Sequence, residues 1–175
     1  MSRHEPSPSK PHLPPRRHLR LSQTQLASWY ALDGHLLEEP LASGAIALID
    51  AEWIIRLAES SDAATVLPRQ AIPADAFITL DELKAEARDK FSGLRILCVS
   101  HMWLDVRHPD PAGYNLRLLA RALELYLHEL GGRAAVFWDI MSLHQDSSHF
   151  RVSNRLATED ELFEEALGHV GAFYI

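Results

Sequence analysis

The chain has 175 residues, 47% of them hydrophobic and 23% charged, with a formal net charge of −7. That is room for one core and the balance of a globular rather than a disordered protein, and the acidic excess argues against a nucleic-acid partner. No apolar stretch approaches the ~18 residues of a membrane span, because the best candidate, ASGAIALIDAEWII, is broken by Asp50 and Glu52.

Residues 1–20 differ from everything after them. They hold Arg3, Lys10, Arg16, Arg17 and Arg20 against Glu5, and five prolines that deny them a stable helix. The segment reads as a disordered, basic, proline-rich tail; it lacks the apolar core of a secretory signal. SQTQLASWYALDGHLL then reads as a short helix with Ser22 or Thr24 as its cap, AIALID as a buried strand, and AEWIIRLAES as the helix that follows. VLPRQAIPADAF is a proline-punctuated connection. TLDELKAEARDK opens with Thr79 and Glu82 at capping-box spacing and reads as a helix with a solvated outer face.

The second half is more regular. LRILCVS has the continuous apolar pattern of a strand covered on both faces of a parallel sheet, with Cys98 as a buried thiol. A lone cysteine in such a place points to a reducing, cytoplasmic setting. Ala112, Leu116, Leu119, Leu123, Tyr126 and Leu130 form one stripe of a helix expected from about Pro111 to Leu130, with Asp110 as cap and Gly131 and Gly132 at its end. RAAVFWDI is a second buried strand. TEDELFEEALGHV is a helix with a box from Thr158 to Glu161 and an apolar face of Leu162, Phe163, Ala166, Leu167 and Val170, and AFYI reads as a third strand. Strand, helix, strand, helix, strand predicts a right-handed parallel α/β arrangement.

In such a sheet ligands bind beyond the carboxyl ends of the strands. Two polar clusters follow strand ends here: SHMWLDVRHPDP, with Ser100, His101, Trp103, His108 and Asp110, and DIMSLHQ, with Asp139, Ser142 and Gln145. These are the candidate ligand-binding residues, and both loops are expected to line one crevice. The stiff loop before a helix N-terminus suits an anion, although His108 and Asp110 equally suit building a turn and capping the helix. Trp103 and Trp138 can stack on a ligand ring or pack in the core. His101, His108, His144 and His149 with Asp139 lack any metal-binding spacing, so no metal site is assigned. Asp139, Ser142 and His144 crowd into one loop without the separate orienting elements of a triad.

Taken in order, ILCVSHMW, an amphipathic helix, AVFWDIMSLHQ, a polar loop, ELFEEAL and AFYI resemble the TIR-like superfamily, including the heterokaryon-incompatibility (HET) domains. VFWDIMSLHQ is also similar to the HET signature, with Ser142 and His144 where that pattern has Cys and Asn. The resemblance covers residues 94–175 and implies a partial flavodoxin-like or TIR-like parallel sheet, preceded by an α/β extension over 21–93. It implies NAD or a related nucleotide as ligand, with Ser100, His101 and Trp103 on the crevice loop. It also implies self-association, or association with other TIR-like domains, through the loop from Ser142 to Ala157, where Phe150 and Arg151 are the expected anchors. The function so implied is a signalling or assembly module; an NAD glycohydrolase is the alternative and a metal-dependent hydrolase a distant third. The family's catalytic glutamate would follow the third strand, past Ile175, so the sequence reads as a catalytically incomplete core.

Overall fold

The computed structural model describes residues 21–61, 63–87, 93–102, 104–105, 108–146 and 156–173. Seven helices and four strands are formed among them. Helix α1 spans Gln23–Ala31, α2 Glu38–Ser43, α3 Ala51–Glu59, α4 Leu80–Glu86, α5 Tyr114–Leu130, α6 Asp139–Ser142 and α7 Ala157–His169. The strands are β1, Leu48–Asp50; β2, Phe77–Ile78; β3, Arg95–Val99; and β4, Ala134–Trp138.

The fold is α/β, as its patterning predicts, but the sheet is mixed rather than parallel. Its order is β2-β1-β4-β3. Only β3 and β4 run parallel; β1 lies antiparallel to both β4 and β2. The parallel pair is the local unit that a long crossover helix permits, and α5 is that crossover. One sheet thus joins strands from residues 21–93 to strands from 94–175.

Alternate residues of the two inner strands supply two cores. Ile49, Ala134, Val136 and Trp138 face α3 and α5 together with Ile54, Leu116 and Leu123. Leu48, Ala135 and Phe137 face the opposite way, against Trp29, Leu83, Ala166 and Phe173. Burial on both faces is what the uninterrupted apolar runs specify. Strand β3 departs from this expectation. It lies at the sheet edge and is only half-buried, and Cys98 is exposed rather than enclosed. Neighbouring groups still desolvate that thiol enough to raise its pKa.

Local signals mostly act where they are written. Ser22 and Gln25 form a capping box on α1, and Thr79 and Glu82 one on α4. Helix α7 starts one residue before Thr158, and its entry is tied instead by the Glu159 carboxylate accepting from the Leu156 N–H at 2.8 Å. Leu167 points outward, whereas Leu162, Phe163 and Val170 pack on the core. Val170–Phe173 is a 3-10 turn, not a strand. Phe173 there stacks on Phe137 at 4.4 Å between ring centroids, so core packing decides against extension of a four-residue apolar run. Tyr174 and Ile175 lie outside the described residues.

Arg133, just before β4, ties three elements together. It reaches Asp50 at 2.8 Å, Glu82 at 3.2 Å and Glu86 at 3.8 Å. Burial alone would raise the Glu82 pKa, but the Thr79 N–H and hydroxyl and the Arg133 guanidinium outweigh it and hold the carboxyl below its usual range. A carboxylate depressed in the folded state adds stability that is present above its unfolded pKa and is lost as the pH falls through the folded one. Glu82→Gln is therefore expected to lower stability at neutral pH and to flatten the loss of stability on acidification below about pH 4.5, measured by urea unfolding across pH. An unchanged pH profile would show that Glu82 contributes nothing to acid sensitivity.

Candidate functional site

The carboxyl ends of β3 and β4 lie side by side because the two strands are parallel and paired from Arg95 with Ala134 to Val99 with Trp138. The loops that carry Ser100 and His101, and Asp139 to Gln145, therefore leave the same end of the sheet.

The direct link between them is His101 to Trp138. The indole Nε1–H donates to His101 Nδ1 at 2.8 Å, with the rings edge to face at 5.1 Å. Trp138 is fully buried, so it belongs to the core and acts by holding the imidazole. With Nδ1 accepting, the neutral ring carries its proton on Nε2. That Nε2 is itself buried and has no hydrogen-bond partner among the described residues. Asn115, in the first turn of α5, likewise buries its Nδ2 without one.

The other candidates are held more firmly by the fold. Asp110 is 0% exposed. Its two oxygens accept from Asn115 N at 3.1 Å and Leu116 N at 2.9 Å, capping α5 from outside. The helix begins at Tyr114, later than the expected Pro111, because Gly113 adopts φ 66° and its N–H closes a turn on the Asp110 carbonyl. His108 Nδ1 accepts from Asp110 N at 3.0 Å, and Leu104 N–H reaches the Pro109 carbonyl, so the loop closes on itself. Ser142 is also 0% exposed, and its Oγ accepts from the Trp138 N–H at 3.0 Å. An enclosed hydroxyl so engaged is scaffold, not nucleophile. His144 Nδ1 lies 3.5 Å from the Glu159 carboxylate, turned toward α7.

Ser100 is exposed and Asp139 half-buried. Asp139 opens α6, with Oδ1 accepting from Ile140 N at 2.7 Å. Gln145 is gripped by Gln70: its N–H donates to Gln70 Oε1, Gln70 Nε2 donates to the Gln145 carbonyl, and its own Nε2 reaches the carbonyls of Asp139 and Leu143. Beside it Arg69 donates to the carbonyls of Gly44, Ala45 and Ser142. Burial pushes the Arg69 pKa down to about 10, partly countered by Glu159. Arg69 and Gln70 are absent from the sequence-derived set; the one signal for them was a polar pair inside an otherwise apolar, proline-rich connection.

Trp103, His149, Phe150 and Arg151 lie outside the described residues. Among the described residues no cluster of three or more His, Cys, Asp or Glu side chains is placed to hold a metal ion, and no helix is long and apolar enough to cross a membrane. No family model, curated protein or solved structure matches the chain.

Proposed function

We propose that this chain is a TIR/HET-like signalling or assembly module that takes a nucleotide at the joined carboxyl ends of β3 and β4. One observation carries the reading: His101 is oriented by a buried tryptophan at the strand end that also carries the partly buried Asp139, yet its remaining N–H is buried and unmet among the described residues. An unsatisfied buried donor costs about 1–3 kcal/mol, a cost that an acceptor oxygen of a bound molecule removes. Ser100 and Asp139 supply further polar groups to a ribose or amide. NAD is the ligand class that the motif order implies.

Calorimetric titration of the full chain with NAD tests this. We expect saturable binding that His101→Ala weakens at least about 10-fold, the equivalent of one lost hydrogen bond to a buried group, in a variant that still unfolds cooperatively although its melting temperature falls because the buried Trp138 N–H loses its acceptor. Absence of binding at millimolar NAD, or equal affinity of the variant, would sink the reading. Asp139 supports one alternative, NAD cleavage, because it is a partly buried carboxylate at this strand end. Nicotinamide release that Asp139→Ala abolishes would favour the enzyme over the module.

A further inference from the structure

Helix α5 carries two apolar stripes, and the fold uses one. Leu116 and Leu123 are buried, and Leu119, Tyr126 and Leu127 pack against the same core. On the opposite side Tyr114, Leu118 and Leu125 follow one another at steps of four and seven and are 60%, 56% and 66% exposed. Ala122, also exposed, fills the gap between the two leucines. Scattered surface leucines need no explanation, whereas a row along one line of a helix is a packing surface.

The charges beside this row identify the occupant. Arg117, Arg121 and Glu124 border one flank, running basic to acidic from the N- to the C-terminal side. An identical helix laid antiparallel, with the two-fold axis near Ala122, presents its Glu124 to Arg121 and its Arg121 to Glu124. The same register sets Leu118 beside Leu125 of the second copy. A parallel copy would instead set this flank against the opposite flank of the second helix, where Ala122 rather than a charge stands at the level of Arg121. We infer that the outer face of α5 is the two-fold contact of a homodimer, closed by reciprocal Arg121 and Glu124 pairs around Leu118 and Leu125.

Such a contact is isologous and closes at two copies. A helix pair about 25 Å long buries area at the low end of specific interfaces, near 1,200 Å² in total. Its dissociation constant is accordingly expected in the range of tens of micromolar. The inference names a partner for the assembly role proposed above, but it stands on α5 alone.

Sedimentation velocity of the full chain from about 1 to about 500 μM, a range that brackets this affinity, provides the test. The wild type is expected to pass from monomer to dimer, and Leu118→Glu to weaken association about 30-fold or more. Arg121→Glu and Glu124→Arg are each expected to be monomeric alone. Their equimolar mixture should dimerise, because both cross-helix pairs are remade only between unlike variants. Far-UV melting curves check that these exposed substitutions leave the fold intact. A wild type that stays monomeric throughout overturns the inference. So does a Leu118→Glu variant that dimerises like the wild type, or a mixture that gains nothing. NAD calorimetry on the same samples separates this outcome from failure of the nucleotide reading, since dimerisation without NAD binding, or the reverse, removes only one of the two.

Discussion

Gly113→Ala is expected to destabilise the protein by about 3–5 kcal/mol, while Gly131→Ala costs about 1–3 kcal/mol. Both glycines have positive φ, 66° and 65°, but Gly113, with ψ 20°, is left-handed and costs alanine about 1–2 kcal/mol, whereas Gly131, with ψ 177°, lies in the extended positive-φ region that is essentially glycine's own and costs about 1–3 kcal/mol. They differ further in what a methyl group would meet. At Gly131 nothing lies within 4 Å, whereas at Gly113 the new carbon would run into the Ala64 carbonyl and close on the Arg117 guanidinium. Ala64 belongs to the backbone of the buried core beneath α5, so it cannot rotate away as a surface side chain can. Relief requires α5 to lift, which would disturb the Asp110 cap and the packing of Leu116 together. Urea unfolding of the two variants measures the difference directly. Equal losses would mean that the Ala64 contact relaxes at little cost and that only the dihedral angle matters.

Arg69→Met is expected to cost about 3 kcal/mol, lowering the melting temperature by about 6–12 °C. The guanidinium donates to three carbonyls, at 2.6 Å to Gly44, 2.8 Å to Ala45 and 3.0 Å to Ser142. Ala45 is fully buried, so its carbonyl loses a partner that water cannot replace. The Ser142 carbonyl keeps a second donor, the Ala47 N–H at 3.0 Å, which limits the damage there. Methionine keeps the apolar stem of the side chain, so the measurement reports on the hydrogen bonds rather than on a cavity. The depressed Arg69 pKa shows that burying this charge has a cost of its own. If the variant proves as stable as the wild type, that desolvation cost equals everything the three bonds contribute.

Periodicity made most of the elements legible, and capping chemistry made several of their starts legible. Leu116 and Leu123 were placed correctly on the inner face of α5, because burial repeats with the helical turn. Its outer stripe is not legible in the same way, because single leucines among charged residues on a helix surface carry no signal of a partner. Pairing direction was not legible either. Nothing in Leu48–Asp50 specifies that β1 runs antiparallel to β4, since an apolar run buried on both faces looks alike in either orientation. Residue types pointed to the carboxyl ends of β3 and β4, and geometry then divided their roles. Asp110 and Ser142 are polar letters used to hold the backbone, and local spacing cannot tell a carboxylate that caps a helix from one that meets a ligand. His101 stands apart only because Trp138, distant in sequence, fixes its tautomer.

The antiparallel insertion of β1 beside β4 also orders events in time. Until β4 exists, β1 has only the two-residue β2 to pair with, and a pairing so short is marginal in water. About 80 residues separate Asp50 from Ala134, so a ribosome adding roughly 5–20 residues per second leaves β1 waiting about 4–16 seconds for its main neighbour. Throughout that interval Leu48 and Ile49, fully enclosed in the finished molecule, sit on an open strand edge of the nascent chain. The hazard of misassociation during synthesis therefore falls on the first half of the chain, and it ends when Ala135 and Val136 emerge to close the edge.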